Sequence, residues 1–198
     1  MSRGTATGPQ QQWHHSPGRV ARWAPVVTLA LVAIASGATA ASRQEIDGKV
    51  DAALKRFYAE APAGADAARS AKGVLVFPNV VKAGFGIGGE YGAGALRIDG
   101  ASVDYYSTTA ASVGLQIGAE QKTIVLCFMT DEALAAFRKS NGFEVGVDGS
   151  VAIIDSGAGG AIGTTMAKGP VIGFVFGRSG LMANISLEGA KISKIQLD

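Results

Sequence analysis

The chain has 198 residues, of which 47% are hydrophobic and 17% charged, with 28 glycines and one cysteine. This apolar content can fill a core, which excludes a disordered chain. One cysteine cannot pair within its own chain, so a disulfide scaffold is excluded. A formal net charge of +2 is too small for a nucleic-acid-binding surface. The length fits one domain with a short appendage.

The first 40 residues carry the features of a secretory signal peptide behind a polar lead. Arg19 and Arg22 precede an apolar run, 23–35, and the triplet 38–40 has the small residues of a cleavage site. The run is shorter than the roughly 20 apolar residues that a membrane-spanning helix needs. We expect cleavage near Ala40 and export to the periplasm or the medium. The alternative is an uncleaved N-terminal membrane anchor.

Cleavage there leaves a single mature domain, 41–198, with 15 basic and 16 acidic residues and a net charge of −1. Both histidines, His14 and His15, precede the cut, so the mature domain contains none. This excludes Ser-His-Asp and Cys-His catalysis, His-ligated zinc and His general bases. We therefore expect a protein that is not an enzyme.

Two helices are predicted at the start of the mature domain. Ser42 and Glu45 have the spacing of a capping box. Apolar residues then recur every three or four positions, which places them on one helical face. They are Ile46, Val50, Leu54 and Phe57. Pro62 and Gly64 end this helix, and a shorter helix is predicted over 65–72.

Beyond Gly73 the sequence alternates with the period of two that is typical of strands. A strand is predicted over 74–77, ended by Pro78, and the run 84–97 predicts a bent strand with glycines on one face. Asp99-Gly100 is a hairpin turn signal. Further strands are predicted over 102–107, 112–119, 122–129, 143–147, 150–154, 171–176, 181–187 and 191–195. The strands 112–119 and 122–129 are predicted to form a hairpin with its turn at Glu120-Gln121. A helix is predicted over 131–140, capped by Thr130.

This order of elements predicts an α+β domain. We expect N-terminal helices followed by a curved antiparallel β-sheet, as a sandwich or partly closed barrel, with one inserted helix. Glycines within the strands fit such curvature because they permit close backbone approach. A doubly wound parallel sheet would need a helix after nearly every strand.

Two motifs that could indicate a cofactor or a nucleophile have simpler interpretations. The segment 84–89 matches G-x-G-x-x-G, but in a dinucleotide site those glycines open a helix, whereas here the strand alternation continues to Leu96. We therefore predict no cofactor. Cys127 lies in the apolar run 123–129, where an inert core thiol is expected.

Acidic residues in the mature domain could in principle pair for acid–base catalysis, although their spacing does not require it. They are Glu90, Asp104, Glu120, Glu144, Asp148 and Asp155. No calcium-loop pattern occurs among them, so neither a metal site nor a catalytic site is predicted.

Basic and aromatic residues are interleaved near the start of the mature domain. The basic residues are Lys49, Lys55, Arg56, Arg69, Lys72 and Lys82, and the aromatic ones are Phe57, Tyr58 and Phe77. A basic amphipathic helix beside such residues is typical of membrane-surface binding. The alternative is an ordinary helix packed on the sheet, because Asp47, Asp51 and Glu60 dilute the charge.

Three segments resemble the SYLF domain family. The opening motif is similar to 71–85 (AKGVLVFPNVVKAGF) followed by 88–94 (GGEYGAG). The central motif is similar to 114–119 (GLQIGA), and the closing motif to 179–190 (SGLMANISLEGA). The three segments occur in order and span most of the mature domain.

The resemblance implies a lipid-binding domain. Eukaryotic relatives bind phosphoinositide membranes and actin filaments, and the membrane activity is linked to the N-terminal helical and basic region. Bacterial members are mostly secreted or lipid-anchored envelope proteins. This sequence lacks a lipidation cysteine and partner domains such as SH3 or FYVE. Because the predicted signal peptide indicates export from the cell, we do not expect actin to be its native partner.

The leading hypothesis is a non-catalytic protein of the bacterial envelope that binds anionic phospholipid headgroups. The expected lipid-contacting residues are Lys49, Lys55, Arg56, Phe57, Lys72 and Lys82. One alternative is an envelope protein-interaction or structural module with other envelope proteins as partners. A second is a carboxylate-dependent hydrolase, which needs two of Glu90, Asp104, Glu120 and Glu144 in one pocket.

Overall fold

The computed structural model describes residues 42–114, 120–140, 142–154, 169–177, 180–182 and 186–197, without the side chains of 63, 83–87 and 112–114. The predicted signal segment, 1–40, lies outside this part. Three helices are described: α1 (Arg43–Glu60), α2 (Pro62–Ser70) and α3 (Asp131–Lys139). The described strands are β1 (Gly73–Ile98), β2 (Ala101–Gly114), β3 (Glu120–Phe128), β4 (Phe143–Glu144), β5 (Ala152–Ile154), β6 (Val171–Gly177), β7 (Gly180–Leu181) and β8 (Lys191–Ile195).

The strands form one curled sheet in the order β4-β8-β2-β1-β3-β6-β5, and β7 pairs with β6. The described pairs are antiparallel except β5 with β6, which is parallel. The result is a half-barrel with N-terminal helices and one inserted helix, which confirms the predicted fold class.

The starts of α1 and α3 follow from local capping. The Ser42 hydroxyl accepts a hydrogen bond from the Glu45 backbone N–H at 3.2 Å, and the Thr130 hydroxyl accepts one from Ala133 at 3.2 Å. Each bond satisfies an N–H that would otherwise have no partner in the first helical turn. The buried face of α1 differs in one position from the prediction, because Ala53 is buried and Leu54 is half-buried.

The sheet separates two apolar clusters because successive side chains of β1 point to opposite faces. Val74 and Val76 pack with α1 on one face, and Leu75 and Phe77 pack with α3 on the other. The two layers therefore share β1 as their common wall. We call α1 and α2 together the helical layer.

Strand β1 is longer than predicted and serves both halves of the sheet. Instead of ending at Pro78, it continues through a register shift between Phe77 and Val80. Its first part pairs with β3 and its second part with β2. The predicted hairpin between 112–119 and 122–129 is wrong, since β3 pairs with β1 and β6 instead. Local alternation reveals a strand but not its partner.

Two glycines permit the bend in β1. A Cβ at Gly92 would lie 2.7 Å from Cγ2 of Val80, and a Cβ at Gly94 would overlap the carbonyl oxygen of Val76. The second half of the strand thus passes against the first half with no room for a side chain. The prediction of a glycine face on a bent strand is confirmed for these two residues.

We predict that Gly94→Ala destabilises the domain by about 1–3 kcal/mol, since the new methyl group must displace the backbone of Val76. The matched control is Gly48→Ala, because Gly48 lies within α1 and a Cβ there meets nothing within 4 Å. That change should stabilise by up to about 1 kcal/mol, because alanine favours a helix interior over glycine. Urea unfolding followed by circular dichroism measures both effects. Wild-type stability of Gly94→Ala would contradict the proposed bend.

Candidate functional site

The helical layer is held on the sheet by an aromatic contact. The ring of Phe57 lies 5.1 Å from that of Phe174 and 5.9 Å from that of Phe176, and Phe57 is 0% exposed. Phe57 therefore cannot contact a headgroup without leaving the core, which corrects its place among the expected lipid-contacting residues. Phe77 is equally buried, in the cluster on the α3 face.

Two of the predicted cations lie on one flank of α1, because seven residues make about two helical turns. Lys49 pairs with Glu45 at 2.6 Å, and Arg56 pairs with Glu60 at 2.7 Å. Arg56 also donates to the carbonyl of Gly177 at 2.5 Å and lies 5.3 Å from the ring centre of Phe176. Arg56 thus links α1 to β6, whereas the half-exposed Lys49 pair is a weak surface interaction.

The other predicted cations do not gather into one patch. Lys55 is exposed on the outward side of α1 and has no ion-pair partner among the described residues. Lys72 is exposed just before β1, with Asp131 at 3.6 Å. Lys82 is half-buried, separated from Lys72 by about 30 Å of extended strand. One headgroup cannot touch both Lys72 and Lys82.

A polar clamp fixes the opposite flank of α1 to the β1–β2 hairpin. Asp47 accepts hydrogen bonds from the Ser102 hydroxyl at 2.5 Å and the Tyr105 hydroxyl at 2.9 Å. Asp51 pairs with Arg97 at 2.7 Å. These two carboxylates not only dilute the basic charge of α1 but also hold the helix on the sheet. The clamp orients the helix that carries Lys55.

Beside this clamp, a cavity of about 250 Å³ opens between the helical layer and the hairpin turn. Its lining includes Leu54, Tyr58, Arg69, Lys72, Arg97 and Asp99. Three basic residues and one acidic residue therefore line this cavity. Tyr58 is 41% exposed at its wall, and burial of the rest of the side chain raises the pKa of its phenol. The phenol is thus neutral at physiological pH.

Only some of the residues that line this cavity could be predicted from the sequence. Lys72 was an expected lipid-contacting residue, and Arg69 belonged to the basic cluster. Arg97 was missed because a single arginine at the end of a strand carries no signal in the sequence. Its position depends on contacts with Asp51, which is distant in the chain.

Glu90 and Asp104, two of the candidate acidic residues, are held apart in separate ion pairs. Glu90 pairs with Lys122 at 2.6 Å, and Asp104 pairs with both Arg138 and Lys194. Glu90 lies opposite Ala110, which is six residues, or about 20 Å, along β2 from Asp104. The two carboxylates therefore cannot share one pocket.

Cys127 is 0% exposed, and burial raises the pKa of its thiol to about 12. This confirms the predicted core position. Within the described ranges, no group of three or more acidic, histidine or cysteine residues is arranged to hold a metal ion. No helix in that same part of the chain is long and apolar enough to cross a membrane.

Comparison with known protein families gives a match over residues 109–196 to the Ysc84 family, described as Las17-binding protein actin regulator. No curated protein matches the chain. The matched range includes the central and closing segments that resemble the SYLF domain, and it begins after the helical layer and β1. The family is linked to actin regulation and lipid binding and is generally non-catalytic. Residues 109–196 are therefore similar to the Ysc84 (SYLF) domain family.

Proposed function

We propose that this protein is a non-catalytic phospholipid-binding protein whose helical layer contacts anionic membrane surfaces. The observation that carries the proposal is the division of α1 into two sides. Its apolar side closes one face of the half-barrel, while Lys49 and Lys55 remain exposed to solvent. Arg69 on α2 and Lys72 beside it add exposed positive charge to the same layer. The family's link to lipid binding supports this proposal.

The charges give a limited affinity. Each lysine or arginine near an anionic surface contributes roughly 1 kcal/mol, so four of them contribute about 4 kcal/mol, which corresponds to millimolar binding. Tyr58, rather than Phe57, is an aromatic residue that this layer exposes. Its insertion at the interface, or several copies bound together, would supply the remaining affinity.

We predict that Lys49→Glu with Lys55→Glu weakens binding to vesicles of phosphatidylcholine and phosphatidylglycerol at least about 30-fold. Loss of two lysines removes about 2 kcal/mol, and the new carboxylates, together with the unpaired Glu45, add repulsion. A flotation assay at low salt measures the effect. Binding of the wild type should fall steeply as salt rises, because exposed charges are screened.

The matched control is Lys139→Glu with Lys191→Glu, which makes the same charge change on α3 and β8. Both lysines are exposed and have no ion-pair partner among the described residues. Lys194 is unsuitable as a control because it pairs with the buried Asp104. Equal losses in the two double variants, or binding that ignores salt, would contradict a membrane contact through the helical layer.

We also propose that the protein is exported to the periplasm or the medium after cleavage near Ala40. The arginine-flanked apolar run and the A-x-A triplet support this proposal. N-terminal sequencing of the protein from the periplasm or medium should begin near Ala41. A full-length cytoplasmic product that begins at Met1 would refute export.

An alternative proposal is an envelope protein-interaction module, which the family description, Las17-binding protein actin regulator, favours. In an exported protein the partner would be another envelope protein rather than actin. This alternative predicts no flotation with any anionic vesicle.

A further inference from the structure

We propose that the cavity beside the polar clamp binds a phosphate monoester group, such as that of an anionic lipid headgroup. This inference rests on the proposed function and assigns a specific ligand chemistry to one place in the helical layer. The clustered cations are Arg69 from α2, Lys72 from the connection to β1, and Arg97 from the end of β1. Residues from three separate segments therefore bring basic side chains to the lining of one cavity.

Arg97 is the most enclosed of these cations, with its side chain 15% exposed. Its Nη1 donates to the carbonyl of Gly100 at 2.9 Å, and its Nη2 donates to Asp51 at 2.7 Å. The guanidinium is thus fixed before any ligand arrives, so little side-chain entropy is lost on binding. Its Nε is buried without a hydrogen-bond partner in the described structure.

The other two cations are held by exchangeable pairs. Arg69 pairs with Asp66 at 2.6 Å, and Lys72 lies 3.6 Å from Asp131. Both carboxylates are more than three-quarters exposed, so each pair contributes little and is easily replaced by a stronger anion. A doubly charged phosphate can accept hydrogen bonds from both side chains at once.

The ligand chemistry follows from the donors and from the size of the cavity. Arginine donates two parallel hydrogen bonds and matches phosphate oxygens, while lysine provides a compact charge. A volume of about 250 Å³ is below the usual range for drug-sized ligands but admits a phosphate with a short substituent. Asp99, which also lines the cavity, disfavours a second anionic group on the same ligand.

The test uses Arg69→Gln with Lys72→Gln, and Lys139→Gln with Lys191→Gln as the matched control. Thermal unfolding is measured with inorganic phosphate and with chloride at equal ionic strength. Phosphate should raise the unfolding midpoint of the wild type and the control, because a ligand of the folded state stabilises it. The midpoint of the cavity variant should rise less, because only the general stabilisation by phosphate remains.

A second measurement uses vesicles that contain phosphatidic acid, a phosphate monoester, or phosphatidylglycerol, a diester, at matched surface charge. The wild type and the control should bind phosphatidic acid at least about tenfold more tightly than phosphatidylglycerol, and the cavity variant should lose this preference. Loss of two exposed cations should also weaken its binding to both vesicle types by about 30-fold. Residual salt-dependent binding through Lys49 and Lys55 should remain in the variant.

Each outcome separates the two proposals. An equal response to phosphate in the wild type and the cavity variant, or no response in the wild type, overturns the phosphate site. Salt-dependent flotation of the wild type on both vesicle types, without a preference for phosphatidic acid, overturns it too, yet supports the proposed function. A phosphate response that is reduced only in the cavity variant, without flotation on either vesicle, supports a site for free phosphate and refutes the membrane function.

Discussion

The close approach of β1 to itself at Gly92 and Gly94 is the constraint on which the architecture depends. Because neither residue has a Cβ, the second half of the strand can pass against Val76 and Val80. The bend lets one continuous strand pair with β3 at its start and with β2 at its end. The sheet therefore curls into a half-barrel, and the hairpin turn after Ile98 is brought beside the helical layer.

The helical layer depends on a second close contact. A Cβ at Gly64 would lie 2.6 Å from Cζ of Phe57, so α2 can pack against α1 only where a side chain is missing. Phe57 in turn contacts Phe174 on the sheet, while Asp47 and Asp51 fasten the other flank. Apolar packing and the polar clamp together fix the orientation of α1. Its exposed cations are thus presented on a rigid support.

Features set by neighbouring residues could be predicted from the sequence. The caps at Ser42 and Thr130 and the turn at Asp99-Gly100 depend on contacts within three residues, and all three were predicted correctly. The pairing of β3 with β1 was missed because it joins residues about 50 positions apart, and alternation carries no information about partners.

The candidate site also combines features that could be predicted from the sequence with features that could not. The helical periodicity already placed Phe57 on the apolar face of α1, and the structure shows that this face is the buried one. Phe57 was predicted to contact lipid because basic residues neighbour it in the sequence, although the helical periodicity already indicated that it is buried. Arg97 could not be predicted, because its contribution to the cavity depends on a tertiary contact with Asp51.

The most direct test of a membrane contact through the helical layer is hydrogen–deuterium exchange of the full mature domain, with and without phosphatidylglycerol vesicles. Backbone amides gain protection where a surface becomes covered or more rigid. We predict added protection in α1, in α2 and in the turn at 97–100, with α3 and β8 unchanged. Protection confined to α3 and β8 would contradict a membrane contact through the helical layer.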